Sequence, residues 1–128
     1  MPTAHAIVLI IVALFPGFAL ADIMLANARA RSGDFDARGE ARCAQEAGQP
    51  LETCDVAVAR AVGSAAVVVT FPNGFARILS FADRQFLRGN ATMSGVGTDT
   101  GWSLAAGMYS IRVDDQRFEL PEALVVGR

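Results

Sequence analysis

Residues 65–81 read AAVVVTFPNGFARILSF. Two apolar, β-rich runs flank Pro72-Asn73-Gly74. Asn-Gly between such runs is the strongest short-range hairpin signal a sequence carries. With Asn73 and Gly74 as the two turn residues, Phe71 opposes Ala76, Val69 opposes Ile78 and Val67 opposes Ser80. The other face pairs Thr70 with Arg77, Val68 with Leu79 and Ala66 with Phe81. Both faces are partly apolar, whereas a hairpin wet on one side alternates cleanly. The pattern predicts a central hairpin, covered on one side by more sheet and on the other by a helix or a barrel interior.

C-terminal to it, residues 108–113 and 117–120 form a second hairpin around Asp114-Asp115-Gln116. Here Ile111 meets Phe118 and Tyr109 meets Leu120, while Ser110 meets Glu119 and Arg112 meets Arg117. One face is apolar and one solvated, as an outer hairpin requires. Shorter strands are expected at 55–60, 85–88, 102–105 and 123–126, the last after Pro121. Residues 89–101, GNATMSGVGTDTG, make the longest polar connection. About seven short strands at intervals of roughly 8–12 residues predict a mainly β domain. The expected form is a small antiparallel sandwich or barrel connected as a meander.

N-terminal to the strands, Ser32 or Asp34 caps an expected short helix running to about Ala47, where Gly48 and Pro50 stop it. Ala37, Ala41 and Ala44 fall on one of its faces. An alanine face buries little area, so the helix needs an anchor. Cys43 and Cys54, with ten residues between them, supply it as a disulfide tying helix to sheet. The spacing is not the C-x-x-C of a redox pair.

The first 21 residues carry no Asp, Glu, Lys or Arg. Ile7 to Phe15 is unbroken apolar sequence, Pro16-Gly17 ends it, and Ala19-Leu20-Ala21 offers a peptidase site. This predicts a secretory signal peptide over 1–21, cleaved after Ala21. A membrane span needs roughly 20 apolar residues, more than this run supplies. A second site of the same kind, Ala26-Asn27-Ala28, lies further from the apolar core. The expected organisation is a signal peptide (1–21), an N-terminal segment with helix and disulfide loop (22–54) and a β domain (55–128). The product is periplasmic or secreted, with no stable membrane anchor.

The frames C-A-x-E-A-G-Q-P-L-x-x-C at 43–54, V-V-V-T-x-P-N-G at 67–74 and Y-S-I-R-V-x-x-x-R-F-E-L-P-E-A at 109–123 cover much of the chain beyond residue 21. In these the sequence resembles a group of small exported bacterial proteins of unknown function. The resemblance implies a periplasmic location and paired cysteines, and no activity or site residues. In that group the turn at 82–84 tends to hold Asn-Gly; here it holds Asp83-Arg84.

Composition closes off most chemistry. The formal net charge is −2, which gives no basic patch for nucleic acid. The one histidine, His5, lies within the expected signal peptide, and all 11 basic residues are arginine. The mature chain therefore lacks the parts for Ser-His-Asp, Cys-His or Ser-Lys catalysis and for a histidine metal site. Asp114, Asp115, Glu119 and Glu122 are the densest acidic group. They leave open a carboxylate hydrolase or a calcium protein, but a hairpin turn and a wet face account for them. Gly95-Val96-Gly97-Thr98 lacks the Lys-Ser/Thr ending of a phosphate loop. Asn90-Ala91-Thr92 fits a glycosylation sequon.

What remains is a non-catalytic binding or interaction module with no cofactor and no metal. Its expected partner surface is Arg88, Asn90, Thr98, Asp99, Trp102 and Tyr109, in and beside the polar connection, with core packing the rival reading for Trp102 and Tyr109. A hydrolase inhibitor is the second expectation, on fold analogy alone.

Overall fold

The computed structural model describes residues 17–90 and 98–127. The apolar run at 7–15, His5 and residues 91–97, with most of the glycine-rich stretch and the sequon, lie outside them. Helix α1 spans Gly17–Arg31. Eight strands follow: β1 (Ala37–Ala44), β2 (Glu52–Ala61), β3 (Ser64–Thr70), β4 (Ala76–Ala82), β5 (Gln85–Gly89), β6 (Thr100–Ala105), β7 (Met108–Val113) and β8 (Gln116–Pro121). Helix α2, Glu122–Val126, ends the described chain.

All pairings are antiparallel, in the order β5-β4-β3-β2-β1-β8-β7-β6. Consecutive strands are neighbours everywhere except between β5 and β6, the two edges. The sheet curls into a nearly closed barrel whose seam lies between those edges. Gly89 marks the close approach there: a Cβ on it would stand 3.0 Å from a Val113 methyl. Across the interior, the rings of Phe81 and Tyr109 lie 5.0 Å apart, and those of Phe71 and Phe118 5.6 Å apart. Val58, Val67, Leu79 and Leu120 fill the space between them. This is the packed interior expected of a small eight-stranded barrel.

The second hairpin has the expected register throughout, from Tyr109↔Leu120 to Arg112↔Arg117. The first is shifted by one residue: Thr70 pairs Ala76, Val69 pairs Arg77 and Val67 pairs Leu79. A two-residue Asn-Gly turn needs positive φ at both positions, and only Gly74 has it (φ +92°). The loop is three residues, Pro72-Asn73-Gly74. The Phe71 N–H donates to the Phe75 carbonyl and the Gly74 N–H to the Phe71 carbonyl, each at 2.8 Å. Proline fixes φ near −65°, which suits the entry to such a loop. A one-residue slip exchanges faces. It turns Leu79, Phe81 and Arg77 into the barrel and puts Ile78 and Ser80 outside.

The helix expected at 34–47 is a strand, β1. Ala37, Gly39, Ala41 and Cys43 alternate with the exposed Arg38, Glu40 and Arg42, which is period two rather than helical spacing. The disulfide accordingly does not tie a helix to the sheet. Cys43 lies opposite Glu52 and Cys54 opposite Ala41, so the bond staples two neighbouring strands on their inward face. Its Cα–Cα distance is 6.1 Å. β2 runs through residues 54 and 55, so the 22–54 segment shares one sheet with the rest. The strand expected at 123–126 is α2, bounded by Pro121 and by Gly127 in the left-handed region (φ +88°). Leu124 from α2 packs on Gly39, where a Cβ would stand 2.9 Å from its methyl. Helix α2 thereby covers one barrel end.

The helix that does form, α1, lies on the outer face of β2, β3 and β4. Ala26 and Ala30 pack against Ala59 and Ala66, with Val68 and Ile78 beside them. Small residues on both sides allow a close approach. Buried Asn27 donates to Ser80 Oγ at 3.1 Å and to its own helix at the Ile23 carbonyl. From the last turn of α1, Arg29 binds Asp34 and Asp36 and donates to the Arg60 carbonyl.

Candidate functional site

The expected partner surface is divided by the fold. Arg88, Asn90 and Thr98 come together with Asn27, Arg31 and Ser80 around a polar groove of about 350 Å³ between α1 and the β5 edge. Asn27, Ser80 and Asn90 are committed to partners within the fold. Asn27 and Ser80 bond each other. The Asn90 side chain accepts from the Ile78 N–H at 3.1 Å, and its carbonyl accepts from Arg77 at 2.6 Å. Asn90 extends the β4–β5 ladder, its N–H donating to the Ile78 carbonyl.

Asp99, just before β6, is bonded to the β7–β8 turn. Its N–H donates to the Asp114 carboxylate at 2.9 Å, and its carbonyl accepts the Asp114 N–H at 2.7 Å. That exchange also accounts for Asp114, while Glu119 lies opposite Ser110 and Arg42 in the ladders. Among the described residues, no group of three or more His, Cys, Asp or Glu side chains is placed to hold a metal ion. Trp102 pairs with Ile111 on the edge strand and is 42% exposed. Tyr109 is not on any surface: it is fully buried, and its hydroxyl donates to the Arg84 carbonyl at 2.6 Å. Burial raises its pKa above the usual phenol value, with Glu122 nearby adding to the shift.

A second cavity was not expected from the sequence. It measures about 390 Å³ and lies at the barrel end covered by α2. The β2–β3 turn gives Gly63 and Ser64, and the β4–β5 turn gives Asp83 and Arg84. Phe81, Ala65 and Val125 form its apolar part. The Asp83 N–H donates to the Gly63 carbonyl at 2.9 Å, joining the two turns.

Arg60 enters from the end of β2. Its Nε donates to the Val125 carbonyl at 3.1 Å and its Nη2 to the Leu124 carbonyl at 2.7 Å. These are final carbonyls of α2, which otherwise lack helical partners. Gly127 lets the guanidinium lie flat there: a Cβ at that position would stand 3.1 Å from Arg60 Cζ. Arg84 donates from Nε to Glu122 at 2.6 Å and forms an ion pair with it through Nη2. Ser64 is 8% exposed, and its hydroxyl has no hydrogen-bond partner among the described residues. A buried polar atom of this kind is rare in folded proteins and calls for an explanation.

Asp83 (φ +52°) and Arg84 (φ +64°) both occupy the left-handed region. The turn therefore has the geometry that Asn-Gly favours, without either residue. For arginine this conformation costs about 1–2 kcal/mol. The sequence signal for the site was this mismatch at 83–84, beside the Gly63-Ser64 break.

Comparison with protein-family models, with curated proteins and with solved structures finds no match for this chain.

Proposed function

We propose that this chain is an exported, non-catalytic binding module whose ligand site is the cavity between α2 and the two turns at 63–64 and 83–84. One observation carries the reading: a cavity of about 390 Å³ presents the Arg60 guanidinium, fixed on the last carbonyls of α2, beside an apolar floor of Ala65, Phe81 and Val125. Binding sites combine an apolar body with a few placed polar groups, in volumes of roughly 300–1,000 Å³. Native mass spectrometry of the protein recovered from its own export compartment tests it. A retained small molecule, lost on Val126→Trp, which would fill the cavity, is the expected result; no retained mass and no thermal shift across a metabolite panel would remove the idea.

Export rests on the apolar leader, the peptidase site and the disulfide. Cleavage after Ala21 rather than Ala28 is supported by packing. Ile23, Ala26, Asn27 and Ala30 are all buried, so the earlier cut keeps all four and the later cut removes three. N-terminal sequencing of the mature protein should begin at Asp22.

A second reading rests on Trp102, whose half-exposed indole lies on an unpaired sheet edge. A protein partner adding a strand to β6 would cover both. Trp102→Ala should then weaken affinity capture from periplasmic extract; unchanged capture would end this reading.

A further inference from the structure

One bond organises the groove between α1 and the β5 edge. Asn27 of α1 donates to Ser80 Oγ of β4 at 3.1 Å, and both side chains are buried. Arg31 follows Asn27 by four residues, on the same helix face one turn on. Arg88 stands directly opposite Ser80 in the β4–β5 ladder, so those two share a sheet face. The Asn27–Ser80 bond thereby brings arginines from two separate elements onto one groove of about 350 Å³, beside Thr98.

Charge decides what the groove can take. Arg31 and Arg88 are its charged lining groups, and no carboxylate among the described residues lines it. The ion pairs among the described residues go to Arg29, Arg84 and Arg112, not to Arg31 or Arg88. Arg29, two residues before Arg31, engages both Asp34 and Asp36. The negative end of the α1 dipole opposes an anion, but the carbonyls of Ala28, Arg29 and Ala30 accept N–H groups from Ser32, Asp34 and Gly33 within 3.2 Å.

We propose that this groove binds a phosphate dianion, inorganic phosphate or the terminal phosphate of a monoester, between the Arg31 and Arg88 guanidiniums, with the Thr98 hydroxyl as a further donor. The guanidinium fork matches phosphate oxygens in geometry. Two cations without an acid match two negative charges, whereas a carboxylate or a phosphodiester brings one. The groove shares no lining residue with the α2 cavity, so each site is tested independently of the other.

The test is an amide NMR titration of the intact mature protein, following Asn27 and Arg88 at constant ionic strength and about pH 7.5, where phosphomonoesters are close to doubly charged. The titrants are inorganic phosphate, glycerol phosphate, dimethyl phosphate and acetate. The two dianions should bind saturably, and the two monoanions about tenfold or more weaker. Tighter binding of glycerol phosphate than of inorganic phosphate assigns a monoester as the ligand; the reverse order assigns the free ion. Arg31→Gln and Arg88→Gln should each weaken phosphate about tenfold. Both side chains are exposed, so the thermal midpoints should stay where they are. Arg38→Gln, at an exposed arginine outside the groove, should leave the affinity unchanged. Absence of saturation with both dianions, equal affinity for acetate and phosphate, or wild-type affinity in Arg31→Gln and Arg88→Gln would each overturn the proposal.

Discussion

Tyr109, at the centre of the barrel, holds the backbone of Arg84 in place: its hydroxyl donates to the Arg84 carbonyl at 2.6 Å. The residue so held sits at φ +64°, on the rim of the cavity. A core side chain from β7 thus supports a strained turn between β4 and β5 across the interior. Tyr109→Phe keeps the ring packing against Phe81 and removes the bond. Stability should fall by about 1 kcal/mol, measured by urea unfolding.

The same hydroxyl sets an alkaline limit. Its pKa is raised in the folded protein, so the folded state holds its proton more tightly than the unfolded chain does. The resulting stabilisation is complete below the unfolded value of about 10 and is lost as pH rises through and above it. Unfolding midpoints taken from pH 8 to 11 should drop for the native protein. A flatter profile is expected for Tyr109→Phe; identical profiles would show that the drop comes from elsewhere.

Arg84 is strained, and relief should be measurable. Arg84→Gly removes a left-handed penalty of about 1–2 kcal/mol and loses a half-exposed ion pair with Glu122 worth under about 1 kcal/mol. The expected net is a gain of about 0.5–1 kcal/mol in chemical denaturation. A loss would mean that the Glu122 bridge outweighs the strain.

Much of this fold was legible because its signals are local. The 108–120 hairpin alternates strictly, and its register follows from two turn residues. The 65–81 hairpin misleads by one residue because Pro72-Asn73-Gly74 supports both a two-residue and a three-residue loop, and apolar residues on both faces do not choose between them. β1 was hidden by composition: alanine and glycine read as helix or loop, while the alternating Arg38, Glu40 and Arg42 carried the true period. The cavity depends on α2 folding back over the end of a nearly closed sheet, a long-range event with no local signature. Only the non-glycine pair at 83–84 marked its position.

The acid side of the stability profile should follow Arg29. It holds the Asp34 and Asp36 carboxyls below their usual pKa through side-chain hydrogen bonds, and the Arg60 N–H adds to the effect on Asp36. A depressed folded pKa stabilises above the unfolded value and is lost as pH falls through about 4 and below. Asp36→Asn should reduce the pH dependence of the thermal midpoint between about pH 5 and 2. Equal slopes for both proteins would locate the acid transition in other carboxylates.

Arg77 gives the sharpest test of the observed register. In the expected pairing it faced Thr70; in the structure it points into the barrel, 5% exposed, donating to the Gln116 side chain and to the Asn90 carbonyl. Desolvation lowers its pKa, though arginine keeps its charge. It therefore links β4 to β8 and to the residue after β5, on both sides of the seam. Arg77→Ala removes the link, leaves Gln116 buried without this partner and opens space beside Gly89. The expected loss is about 3 kcal/mol. Arg77→Met, which fills the space without the bonds, should lose less. An exposed arginine in the alternative register would change stability by roughly 0.5 kcal/mol at most, so the size of the Arg77→Ala effect separates the two pairings.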